Sequence, residues 1–122
     1  MTIKRGILKD APKIKRYQGA PFYKCTLEEN FRDQGVNKKA KYVLNIHQGL
    51  IDFFKSNFKV GDQLVVRGSI YAMSDIDPRT KKPYNFTVIK ANRFFTMDDY
   101  IYKNQNNICL YCDQEIKNEA TR

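Results

Sequence analysis

The chain has no tryptophan and a single histidine, His47. One imidazole, with no second histidine beside it and no accompanying Ser/His/Asp set, gives neither a metal-ligand group nor a nucleophilic triad. No glycine-rich phosphate loop occurs, and the acidic pairs Glu28-Glu29 and Asp98-Asp99 carry no pocket signal around them. A binding protein is therefore expected, not an enzyme, and no cofactor is implied. Cysteine is sparse: three residues, two of them spaced C-x-x-C, suit a reducing compartment better than a disulfide framework. No apolar run approaches the roughly 18 to 20 residues of a bilayer span, and "MTIKRGILKD" lacks the apolar segment of a signal peptide. A cytoplasmic location with no membrane partner is the expectation. Acidic residues are also short, 13 against 22 Lys and Arg, and the net charge of +9 points to polyanions.

At 122 residues the chain suffices for one domain and a tail. Strands are predicted at 3–10, at 22–31, where Tyr23, Cys25 and Leu27 alternate with Phe22, Lys24, Thr26 and Glu28, and at 41–47, where Tyr42, Leu44 and Ile46 alternate with Lys41, Val43, Asn45 and His47. Residues 11–21 and 32–40 read as basic loops of turn composition. The period then changes. Leu50, Phe53, Phe54 and Phe58 fall on one helical stripe, and Gly61 is read as the residue that ends that helix. A strand at 63–71 follows, with Gly68 in the middle as a bulge or bend signal. Residues 72–83 read as a hairpin loop around Asp77-Pro78, and 84–95 as the returning strand.

Three strands, one short helix and a two-stranded hairpin match an all-β, five-stranded Greek-key barrel of the OB-fold type, with a helix plugging the open end between strands three and four. The predicted organisation is a barrel domain over 1–97 and a C-terminal extension over 98–122, with a short helix at 98–104 docking the tail.

The stretch "HQGLIDFFKSNFKVGDQLVVRGSIYAMSDIDPRTKKPYNFTVIKANRFFTM" resembles the bacterial single-stranded-DNA-binding protein family: a hydrophobic strand, a short helix, a Lys-x-Gly turn, a strand with central Gly, a basic hairpin and a closing strand. The likeness is strongest over 41–97 and extends more weakly over 3–40. It implies single-stranded DNA, with RNA as a less favoured version, as ligand in replication, recombination or repair. Two features depart from that family. Its members often stack bases on tryptophan, absent here, and usually end in an acidic tail closing on Pro-Phe, whereas this sequence ends "CDQEIKNEATR". Recruitment of replication enzymes through such a tail is therefore not expected.

Single strands are held by a cationic groove along the phosphates and by rings on which bases stack. The cationic candidates are Lys13, Lys15 and Arg16 in the first loop; Lys24 and Arg67 at outward strand positions; Lys38, Lys39 and Lys41 around the second loop; and Arg79, Lys81 and Lys82 in the last hairpin. The ring candidates are Tyr17, Phe22, Phe31, Tyr71 and Tyr84, and the resemblance adds His47, which stands where the family commonly has a stacking aromatic. A competing reading makes the barrel an accessory subunit that docks on a polymerase, primase or helicase through outward aromatics and the C-terminal segment. Homo-oligomerisation is left open. Cys109 and Cys112 have half the spacing of a zinc knuckle, but the two remaining ligands would have to come from a second copy or a partner, so no metal is assigned.

Overall fold

The computed structural model describes residues 1–17 and 20–111, with backbone alone for Arg16, Tyr17 and Ala20. Among these there are six strands and two helices: β1 (Thr2–Leu8), β2 (Lys13–Tyr17), β3 (Ala20–Asp33), β4 (Val36–His47), α1 (Gln48–Asn57), β5 (Gln63–Ile76), β6 (Pro83–Thr96) and α2 (Met97–Gln105). β1 pairs antiparallel with β5, β5 with β6 and β4 with β3, while β6 lies parallel to β4. The ring closes where β3 meets β1 again, at Ile7 opposite Glu28 and Leu8 opposite Leu27. Five strands thus form the expected OB-fold barrel, with α1 between its third and fourth wall strands. β2 is a sixth strand, added to the edge of β3 beyond the closure. Among the described residues no helix is long and apolar enough to cross a membrane.

Alternation along the walls fills the barrel. Cys25, Leu27, Leu44, Ile46, Leu64, Val66, Ile89, Ala91 and Phe94 point inward and are buried. Burial pushes the Cys25 thiol up to about 12, with the charge of Asp10 adding to the shift. The base is closed by α1, whose first turn is capped by the His47 ring: Nδ1 accepts the Gly49 N–H at 3.1 Å. The helix buries Ile51 and Phe54, and Phe58 follows as its C-cap. Phe54 packs on Phe94 with ring centroids 4.8 Å apart and on Phe58 at 5.3 Å.

Of the predicted stripe, Phe54 and Phe58 lie in the core and Leu50 packs against it; Phe53 is the member corrected, and Ile51 is buried in addition. Neighbours on a helix diverge by about 100°, so burying Phe54 turns Phe53 outward. Phe53 is 46% exposed. Gly61 is corrected too: the helix ends at Asn57, and Phe58 is already extended. Gly61 has φ 97°, open to glycine and strained for other residues, within a turn closed by the Asp62 N–H on the Lys59 carbonyl at 2.9 Å. That turn is sewn to the end of β1, since the Gly61 N–H donates to the Leu8 carbonyl at 2.7 Å and the Leu8 N–H to the Asp62 carbonyl at 2.9 Å. It joins the plug to the wall.

All three predicted loops are shorter than expected. Residues 32–40 are mostly strand: β3 and β4 run as a long hairpin to a two-residue turn at Gln34 (φ 51°) and Gly35 (φ 79°), the positive-φ pair that matches strand twist. β5 and β6 likewise continue to Ile76 and Pro83, and 11–21 holds β2. These arms stand clear of the barrel with both faces wet, as every residue from 30 to 39 is exposed. Their ladder hydrogen bonds hold them, and no apolar period marks them. At Gly68 the bulge signal is correct: partners step from Arg67–Arg93 to Gly68–Ala91, leaving Asn92 as the extra residue. A Cβ on Gly68 would stand 2.2 Å from the Lys90 carbonyl oxygen, so glycine is what lets the strands close here. α2 is N-capped by Thr96, whose hydroxyl accepts the Asp99 N–H at 3.2 Å, and bears out the helix predicted at 98–104.

Candidate nucleic-acid interface

The pleat that sends one set of side chains inward sends the next set out. On the outer surface β3 presents Phe22 and Lys24, β4 Val43 and Asn45, β5 Tyr71 and Met73, and β6 Phe86 and Val88. Register brings them together: Tyr71 lies opposite Val88, Met73 opposite Phe86, Lys24 opposite Asn45, and the parallel β4–β6 pair sets Val43 beside Val88. They line an open groove of about 490 Å³. Val88 is its buried floor, while Tyr71 is 39% exposed. Tyr84, two residues before Phe86 on the same face, sets its ring 5.7 Å from that of Phe86 at 33°. The Lys24 ammonium lies 5.8 Å from the Phe86 ring centroid, a cation–π contact that holds the lysine over the groove.

A second hollow, about 240 Å³, adjoins the first and shares Lys24 and Val43 with it. Lys13 and Lys15, exposed on β2, line it. Asp10 is spent on architecture, accepting the Thr26 N–H at 2.6 Å and the Thr26 hydroxyl at 3.1 Å, which pins the β1–β2 connection against β3. The hollow therefore keeps its lysines facing outward from a fixed frame.

On the β3–β4 arm, Phe31 lies opposite Lys38 on the side continuous with the barrel interior and is 40% exposed. It belongs to a separate hollow with Arg32, Lys38 and Lys39, and is not brought to the groove. Lys38 is paired with Asp33 at 2.8 Å, and Lys39 lies 3.8 Å from Glu28, a nearly buried carboxylate that also meets Lys9 at 4.0 Å. Lys41 is exposed opposite Glu28. Arg79, Lys81 and Lys82 are exposed at the tip of the β5–β6 arm, where the Asp77 carboxylate accepts the Arg79 N–H at 2.8 Å.

Two candidates have other work. The His47 ring caps α1, although its strand position is opposite Phe22. Arg67 does not line the groove: its guanidinium bonds the Asn92 side chain at 2.8 Å and the Leu110 and Tyr111 carbonyls at 3.2 and 2.7 Å, holding the C-terminal segment to β5. The side chains of Arg16 and Tyr17 lie outside the described residues, as does Cys112. Cys109 is half-buried, and among the described residues no group of three or more His, Cys, Asp or Glu is placed to hold a metal ion. Phe86 is the groove ring that sequence reasoning missed, along with the non-aromatic lining residues other than Lys24. Its signal was available, since Tyr84, Phe86 and Val88 alternate on one face of β6.

No family model matches the chain, and no curated protein matches it by sequence. Solved structures do. The small single-stranded-DNA-binding protein of Streptomyces coelicolor superposes with a TM-score of 0.58 at 14% identity, over 78% of this chain and 91% of that one. The Plasmodium falciparum SSB, solved in complex with single-stranded DNA, gives 0.53 at 18% identity, over 77% and 88% of the two chains. The mitochondrial single-stranded-DNA-binding protein of S. cerevisiae gives 0.55 at 7% identity, over 79% and 92%. In fold, then, this chain is an OB barrel built like those of single-stranded-DNA-binding proteins.

Proposed function

We propose that the chain binds single-stranded DNA along the outer surface of β3 to β6, in replication, recombination or repair, and that residues 1 to 97 form the binding domain. One observation carries the reading: a ring-lined groove adjoins a lysine-lined hollow, the two sharing Lys24 and Val43. Phosphates are drawn by Lys13, Lys15 and Lys24 and by the exposed cations of the β5–β6 tip. Unpaired bases stack on Phe22, Tyr71 and Phe86, with Tyr84 extending the platform. A duplex keeps its base faces stacked inside and offers the groove only phosphates. The net charge of +9 and the shared fold of proteins named for the same ligand support this assignment. The accessory-subunit reading has its own support, since α2 and the segment after it expose Ile101, Tyr102 and Tyr111 at 46%, 58% and 55%.

A salt titration with labelled oligonucleotides tests the first reading. A single strand should bind more tightly than duplex of equal length. Neutralising four to six phosphates gives log K against log salt a slope of about −3 to −4 for the single strand. Equal affinity for the two forms would defeat the proposal. Restoration of weak binding by a co-purified polymerase, primase or helicase would favour the second reading.

A further inference from the structure

We infer that Asp75 makes the groove selective for bases that carry an exocyclic amino group, over thymine and uracil. The inference rests on the single-strand reading above. Among the described residues lining the groove, Asp75 is the one acid. On a protein of net charge +9 that offers lysines to phosphates, a carboxylate on the binding face repels the backbone of any bound strand. It occupies the same outward row of β5 as Tyr71 and Met73, and the register sets it opposite Tyr84, next to the tilted Tyr84–Phe86 ring pair. A base stacked on that pair therefore turns its edge toward the carboxylate. The Ile76 N–H donates to Oδ1 at 2.8 Å, a local bond that leaves further lone pairs for a ligand.

An ionised carboxylate only accepts hydrogen bonds, so the edge it meets must donate. Guanine offers two adjacent donors, N1–H and the 2-amino group; cytosine and adenine each offer one amino group. Thymine and uracil offer a single N3–H flanked by two carbonyl oxygens, whose partial negative charges oppose the carboxylate. Unstacked bases expose these edges, which in a duplex are paired.

The test compares oligo(dC), oligo(dT) and oligo(5-methyl-dC) of equal length at fixed salt and mildly alkaline pH, with native protein and with Asp75→Asn. The native protein should bind oligo(dC) about tenfold more tightly than oligo(dT). Oligo(5-methyl-dC), which has thymine's methyl and cytosine's amino group, should follow oligo(dC). In Asp75→Asn the ratio should fall toward one, chiefly because affinity for oligo(dT) rises as the repulsion is lost. A native ratio near one, a ratio that persists in the variant, or 5-methylcytosine behaving as thymine would overturn the inference while the single-strand reading stands. If none of the oligonucleotides binds, that reading falls as well.

Discussion

Replacing Tyr71 and Phe86 together with alanine is expected to weaken oligonucleotide binding about a hundredfold without changing its salt slope. Each ring that stacks a base contributes about 1 to 3 kcal/mol, so loss of two corresponds to about 3 kcal/mol even near the low end. The slope counts released counterions and depends on the lysines, which the double variant retains. The fold should survive, because both rings lie outside the core cluster, on the outer face of the barrel. Removing the Phe86 ring also frees Lys24 from its cation–π contact. Fluorescence anisotropy at two salt concentrations separates the terms. Unchanged affinity would remove the rings from the interface, and a flattened slope would show that the variant had displaced the lysines.

The second large effect concerns the plug. Phe54→Ala should destabilise the protein by about 3 to 5 kcal/mol, the usual range for emptying a buried phenylalanine site, and lower the thermal midpoint by ten degrees or more. Phe54 is fully buried between Phe58 and Phe94 at the mouth of the barrel. Phe53→Ala, one residue earlier, should cost about 1 kcal/mol at most, since its ring is half in water and touches Phe58 edge-on at 6.3 Å. Denaturant midpoints of the two variants measure the contrast. Equal losses would mean that α1 is seated with the sequence-predicted face inward.

That contrast marks where the sequence stopped being informative. The apolar pairs Leu50-Ile51 and Phe53-Phe54 admit two stripes a single position apart, and helical periodicity cannot choose between them. The barrel strands were legible because one face of each is dry, and burial writes itself into alternation at Cys25 and Leu27, Leu44 and Ile46, and Ile89 and Ala91. The arms were not legible. At 32–40 and 72–83 both faces are wet, so strands held by backbone pairing alone carry the composition of loops. Gly68 was readable because a backbone contact leaves a glycine behind, whereas the nature of Arg67's partners was hidden, since the carbonyls it binds lie more than forty residues along the chain. Among the site residues, cationic loops and individual rings could be named from sequence. Which of them share a surface depended on register: it gathers Phe22, Lys24 and Tyr71 with the unforeseen Phe86, and sends Phe31 elsewhere.

Amide chemical-shift mapping on addition of a short mixed-sequence single strand tests the central claim most directly. The largest changes are predicted at residues 22–26, 43–45, 71–75 and 84–88 and at Lys13 and Lys15, with α1 and α2 almost unmoved. Changes concentrated on α1, α2 or the segment held by Arg67, with the groove silent, would contradict it.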